Sequence, residues 1–259
     1  MDRSSSLHRL TMTVLGTRRW IAANCRLPRC CIVCGCVTCQ PLALCDDCCS
    51  DLPWFSSDDR FCQHCGISLS AADSTSSCGK CLQQPPAFDS CNTVFPYRTP
   101  IRELLQRFKF HAGLNEGAAL GTLLANRFAE FYRSTSLPRL IIPVPLHHRR
   151  LRERGFNQAL ELARPIVQRC GIECSRQQLR RQRYTEPQYS LKLRQRQGNL
   201  ANAFALAEPL PVHCLTHVAI VDDVVTTGAT VSALARTLRL QGAQRIDVWA
   251  VARTEMGKL

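Results

Sequence analysis

Beyond Cys91 the apolar positions follow two alternating rhythms. Short unbroken runs, Leu140–Pro145 and Val218–Val221, have the length and β-branched content of strands buried on both faces, and Arg245–Val251 predicts a final strand. Between them, Ile101–Phe110 and Glu116–Tyr132 carry apolar residues three and four apart, with Leu120, Leu124, Phe128 and Phe131 on one helical face. Asn157–Gln168 predicts a further amphipathic helix closing near Gly171, and Ala229–Leu240 one that ends before Gly242. Strands separated by helices argue for an α/β domain on a parallel sheet. Such sheets take ligands beyond the carboxyl ends of their strands.

Composition sharpens this picture at one boundary. The 259 residues are 45% apolar and 20% charged, as in a soluble globular chain of one large or two small domains. No apolar stretch reaches the roughly 18 residues of a membrane helix. Arg3, Arg9, Arg18 and Arg19 interrupt the apolar pieces of residues 1–24, such as Thr11–Leu15, too often for a secretory signal. A cytoplasmic protein without membrane insertion is expected, with residues 1–24 a disordered extension and Met12 an alternative start to Met1. Fourteen of the seventeen cysteines lie in residues 1–91, leaving Cys170, Cys174 and Cys214 beyond. Lys and Arg balance Asp and Glu at eight each up to residue 91, whereas residues 92–259 hold twenty-five against twelve, so the whole formal +13 belongs to the second part. Two domains follow: a cysteine-rich one over 25–91 and a basic one over 92–259.

A small cysteine-rich domain needs staples, which in a reducing compartment means metal. Cys31-x2-Cys34 and Cys45-x2-Cys48 are separated by ten residues, and Cys62-x2-Cys65 and Cys78-x2-Cys81 by twelve. At this spacing two tight turns bring four thiolates to the corners of a tetrahedral zinc site. Gly35 and Gly66 follow the leading pairs, where a knuckle turn favours positive φ. Cys31 and Cys34 are thereby favoured over Cys36 and Cys39, although either of the latter could replace an assigned ligand. Cys25, Cys30, Cys49 and Cys91 are left as spare thiols. All four positions of each site would be protein ligands, which makes both zinc sites structural. Each filled site carries −2, lowering the working charge to about +9.

The most informative stretch is Val218 to Thr230, V-A-I-V-D-D-V-V-T-T-G-A-T. Backbone amides at a helix N-terminus, with the hydroxyls of Thr226, Thr227 and Thr230 around Gly228, form a cradle for a phosphate. Asp222 and Asp223 can accept hydrogen bonds from vicinal sugar hydroxyls, so a sugar 5-phosphate fits both halves. A phospho-receiver would need about 100 residues after its acids, and only 36 follow Asp223. A Walker-B strand would need a G-x-x-x-x-G-K-[ST] loop, which does not occur. A plain buried strand would carry two adjacent carboxylates at a cost that nothing offsets.

The stretch resembles the phosphoribosyl pyrophosphate (PRPP) motif of type I phosphoribosyltransferases, and the chain from about Cys31 to Arg253 is similar to the ComF family, particularly its GntX branch. The resemblance is carried by the double Cys ribbon, Leu52-Pro53-Trp54, Cys78-Gly79-Lys80-Cys81, Lys109-Phe110, Pro143-Val144-Pro145-Leu146, Arg154-Gly155-Phe156-Asn157-Gln158, Gln188 through Asn199 to Phe204, and the PRPP motif, in family order. It implies a type I phosphoribosyltransferase-like domain behind a double zinc ribbon, and a role in the uptake or use of external DNA, with DNA-uptake machinery as a partner. Asp222 and Asp223 would be the catalytic pair on the ribose hydroxyls, directly or through Mg²⁺. Thr226, Thr227, Gly228, Ala229 and Thr230 would hold the 5-phosphate. Leu146, His147 and His148 would form the pyrophosphate loop, with Arg150 and Arg154 among its nearest cations. Where some purine-salvage relatives place an acid, this chain has Thr226, so no general base is evident.

Residues 149–196 hold thirteen Lys and Arg against four acids, the density a polyanion groove needs. Arg176 to Gln197 occupies the place of the mobile hood over PRPP in related folds. Within it Tyr184 and Tyr189, among Arg180, Arg181, Arg183, Arg194 and Arg196, could stack and neutralise single-stranded DNA. Three readings follow: an Mg²⁺-dependent transferase of phosphoribose to an unidentified acceptor, a PRPP- or nucleotide-sensing module that binds single-stranded DNA or a protein, and a zinc-stabilised adaptor with a vestigial pocket.

Overall fold

In a computed structural model, residues 29–56, 58–70, 75–111, 113–182 and 203–255 are described. The chain divides at Asp51–Leu52 into two compact units. In the first, β1 (Arg29–Cys30) pairs antiparallel with β2 (Val37–Thr38), and α1 (Asp46–Ser50) follows Cys45. The turn between the strands is a knuckle: the Gly35 amide donates to the Cys31 carbonyl, the Cys31 amide to the Cys36 carbonyl, and Gly35 has φ +76°.

The second unit opens with the same device. The Gly66 amide donates to Cys62 O, the Cys62 amide to Ile67 O, and Gly66 has φ +66°. The short helix α2 (Gly79–Gln83) follows Cys78 as α1 follows Cys45. In each set the second cysteine pair therefore sits at a helix start, three residues apart and on one face.

The rest of this unit is the expected α/β domain. It runs β3 (Ser90–Pro96), α3 (Ile101–Phe110), α4 (Leu114–Phe131), β4 (Leu140–Pro143), α5 (His148–Arg154), α6 (Gln158–Cys170), β5 (Glu173–Cys174), β6 (Leu179–Arg181), β7 (Phe204–Leu206), β8 (His217–Val225), α7 (Ala229–Leu240) and β9 (Arg245–Arg253). Five strands form one all-parallel sheet in the order β3-β9-β8-β4-β5. The centre of β8 and most of β9 are buried, which is why their sequences run apolar without alternation. One sheet face is covered by α4 and α6; there Trp249 meets Phe128, Phe131 and Tyr132. The other carries α7, with Leu234 and Leu238 in one cluster with Ile220, Val248, Phe88 and Phe204. A separate antiparallel pair, β6 with β7, lies outside the sheet.

The Arg154 to Gln158 segment has a structural explanation. Phe156 packs on Phe108 with ring centroids 5.3 Å apart. Asn157 caps α6 by accepting from the Ala159 amide at 3.0 Å, and its Nδ2 donates to Val144 O at 3.1 Å. One side chain thus fixes the helix start and its distance from the end of β4. Among the described residues no helix is long and apolar enough to cross a membrane.

Candidate functional site

β8 is the central strand, and its carboxyl end carries the acid pair. The sequence places Asp222 and Asp223 at the strand tip; β8 instead pairs with β9 as far as Val225 and Arg253, which leaves the pair just inside the strand. Asp223 is buried and its Oδ2 lies 2.6 Å from Lys109 Nζ, near the end of α3. Burial works against the Lys109 charge, but Asp223 and then Asp222 more than offset it and hold the ammonium above its ordinary value. Burial pushes Asp222 up to about 8, and the adjacent Asp223 charge adds to the push against the Asp223 amide and Lys109.

Beyond the acids the chain turns into α7 through Gly228, at φ +76°, ψ 2°. A side chain at this left-handed position would be strained, so glycine is the residue that lets α7 start directly after the strand. The Thr227 hydroxyl accepts from the Ala229 amide at 3.3 Å. Asp222, Thr226, Gly228, Ala229 and Thr230 line one concavity. Arg253, at the end of β9, holds the loop from behind, donating through Nη1 to Val225 O at 2.8 Å and to Thr226 O. The arrangement joins hydroxyl-accepting carboxylates to a helix start suited to an anion.

Of the residues expected at a pyrophosphate loop, Leu146 is half-buried, while His147 caps α5 by accepting from the Arg149 amide at 3.3 Å and has its ring centroid 4.0 Å from that of His148, the two rings tilted by 41°. Burial, then the charges of His148, Arg181, Arg149 and Arg150, hold His147 below its usual value. Arg154 and Arg181 are pulled down by burial and by Arg150, and pushed back up by Asp223 and Asp222 respectively. The two guanidiniums therefore sit within electrostatic reach of the acid pair. Arg180 and Arg181 lie on β6, Arg180 exposed and Arg181 with its guanidinium 5.7 Å from the Phe204 ring. Arg183, Arg194, Arg196, Tyr184 and Tyr189 fall outside the described residues, as do Cys25 and residues 1–24.

Two residues of this site carry no role in the sequence reading. Lys109 was readable in one respect: it lies four residues after Leu105, on the stripe that buries Ile101, Leu104, Leu105 and Phe108, and a charge there needs a partner. Arg253 has no such signal, because its partners are backbone carbonyls.

The cysteine sets are assembled as their spacing requires. In Cys31, Cys34, Cys45 and Cys48, and in Cys62, Cys65, Cys78 and Cys81, the four Sγ atoms lie within 4.8 Å of one another. Both donor sets fit a zinc ribbon. Burial opposes ionisation of Cys31 and Cys62, but the surrounding amides, foremost those of Cys34 and Cys65 respectively, outweigh it and hold each thiol at about 6. Cys36 lies beside the first set, 3.1 Å from Cys34 Sγ.

No family model matches the chain. Curated proteins do. Over 195 residues it is 42% identical to the DNA utilization protein YhgH of Salmonella typhimurium, covering 74% of this chain and 84% of that protein. It is 37% identical to competence protein F of Haemophilus influenzae over the same shares. Competence protein ComFC of Bacillus subtilis is 27% identical over 153 residues, 58% of each chain.

Proposed function

The chain belongs to the ComF family, and from that premise we propose that it serves the use of external DNA through a PRPP-binding, phosphoribosyltransferase-like domain over residues 92–259. The relatives' names, DNA utilization protein and competence protein, support the DNA role. The observation that carries the PRPP reading is the juxtaposition at the end of β8: an acid pair, then a left-handed Gly228 opening α7. Asp222 and Asp223 would accept the ribose hydroxyls, while the Thr226–Thr230 segment would hold the 5-phosphate. Arg150, Arg154 and Arg181 supply positive charge for a pyrophosphate. Mg²⁺, when bound with PRPP, would share the charge of that leaving group.

Titration calorimetry of PRPP, with and without Mg²⁺, into wild type and an Asp222→Asn/Asp223→Asn variant tests this reading. Binding by wild type and at least tenfold weaker binding by the variant are expected. No binding by wild type overturns it.

A second reading, a non-catalytic PRPP or nucleotide sensor that also contacts single-stranded DNA, is favoured by Thr226, which follows the acids and offers no base, and by the exposed Arg149, Arg152 and Arg180. PRPP binding without pyrophosphate release across a panel of bases, amines and nucleotides would select it. For the DNA contact, fluorescence anisotropy of a labelled single strand at rising salt is expected to show weaker binding and a shallower salt slope for Arg180→Ala/Arg181→Ala. An unchanged slope removes these two residues from the interface.

A further inference from the structure

At the opposite end of the sheet from the acid pair, a different set of side chains converges. Glu173 opens the edge strand β5, and His213 and Cys214 lie in the 3-10 turn Val212–Thr216 that feeds β8. One potential ligand atom of each lies within 4.8 Å of the other two, the limit that also encloses the thiols of each ribbon. Cys214 Sγ is 3.6 Å from Glu173 Oε2 although the two lie 41 positions apart in the chain. Their meeting is a product of the fold and not of chain proximity.

We propose that Glu173, His213 and Cys214 form a third metal site, which takes zinc or a similar borderline divalent cation on three protein ligands and leaves a fourth position to water. Carboxylate, imidazole and thiolate are all zinc donors, and three protein ligands with an open place is the pattern of an accessible site, unlike the closed ribbons. Charge supports the assignment: one thiolate and one carboxylate neutralise a dication, whereas each ribbon would be left at −2. Burial supports it too. Cys214 is 1% exposed and forms the floor, while Glu173 and His213 are exposed and form the rim, so an ion can enter from solvent. A bound ion would tie β5, which pairs with β4 through only two residues, to the turn entering β8.

The test uses the full chain, purified without chelator, loaded with zinc and desalted. Elemental analysis is expected to give about three ions per wild-type chain and about two for His213→Ala and Glu173→Gln. Both side chains are exposed, and an unchanged far-ultraviolet spectrum would show that each variant folds. Substitution by Co²⁺ reads the thiolate directly. The third equivalent should add sulfur-to-cobalt charge-transfer absorption in wild type, and this increment should be missing in Cys214→Ser. Two ions in wild type, or a third ion kept by the His213 and Glu173 variants, overturns the site. Because none of the three residues lies near β8's carboxyl end, either result leaves the PRPP reading untouched.

Discussion

Lys109 and Asp223 meet at 2.6 Å with side chains only 21% and 13% exposed, so each charge is largely withdrawn from water and compensated by its partner. Removing one partner strands the other, so Lys109→Met is expected to destabilise the fold by about 2–4 kcal/mol in urea unfolding at pH 7. Removing both charges should cost less, so Lys109→Met/Asp223→Asn is expected to recover part of the loss; strictly additive losses would show that the pair contributes no coupling. Asp247 offers a second measurable charge. Its carboxylate faces His217 Nε2 at 2.8 Å, the Tyr132 hydroxyl at 2.6 Å, the Ser90 hydroxyl at 2.9 Å and Arg245 at 3.1 Å. Burial pushes this carboxyl up, but the hydrogen bonds from His217, Tyr132, Ser90 and Arg245 outweigh it and hold Asp247 at about 2, below the ordinary carboxylate value of 3.8. A folded-state value below the unfolded one contributes stability above about pH 4, about 2 kcal/mol here, which fades as pH falls toward 2. The stability gap between wild type and Asp247→Asn, measured by chemical denaturation, should therefore narrow over that window. A gap independent of pH would mean that Asp247 acts only through packing.

Helix α4 carries a glycine where helix propensity alone favours alanine, by about 1 kcal/mol. Packing reverses the preference. A Cβ at Gly117 would come within 2.7 and 2.8 Å of Phe108 Cδ2 and Cζ and closer still to Cε2, and the Phe108 ring is fully buried. Overpacking of this kind costs about 1–3 kcal/mol. Gly117→Ala is accordingly expected to lower stability by about 1 kcal/mol in thermal unfolding, and a gain would show that the α3–α4 contact is loose. The same competition between local and tertiary terms explains which elements were legible in the sequence. Helices at 101–110 and 229–240 match their expected bounds because apolar period and end signals agree there. Helix α5 was hidden, since H-R-R-L-R-E-R offers one apolar residue and reads as a cationic turn. Strand β3 was hidden too, because Ser90, Asn92, Thr93 and Pro96 break the apolar run that pairing with β9 nevertheless buries. At the site, Asp222, Asp223 and Gly228 were readable because their chemistry is contiguous. Lys109 and Arg253 reach it only through α3 and β9, a juxtaposition that spacing along the chain does not encode.

At the scale of the whole second unit, the cysteine set at 62–81 and the turn from β8 into α7 share one mechanical support. The residues joining that ribbon to β3 lie along α7: Asp89 Oδ2 accepts from Arg239 Nη2 at 2.6 Å and from the Ile246 amide at 2.7 Å, and Ala87 O accepts from Arg239 Nε at 3.2 Å. His64, inside the knuckle, places Nδ1 3.3 Å from Asp89 O. Phe88 is buried against the same cluster as Leu234, and its Cζ sits 3.8 Å from where Gly228 would carry a Cβ. The connector therefore backs the turn that shapes the first amides of α7, and metal held by the ribbon would order the connector from its other end. Small ribbons of this kind lose their fold when the metal is removed. A Cys65→Ser/Cys81→Ser variant should lose one zinc by elemental analysis. Its amide hydrogen exchange is expected to quicken at residues 87–89 and in the first turn of α7, while β8 and β9 in the sheet centre stay protected. If exchange in α7 were unchanged, the core packing of Phe88 alone would hold the turn, and the ribbon would be mechanically separate from the pocket.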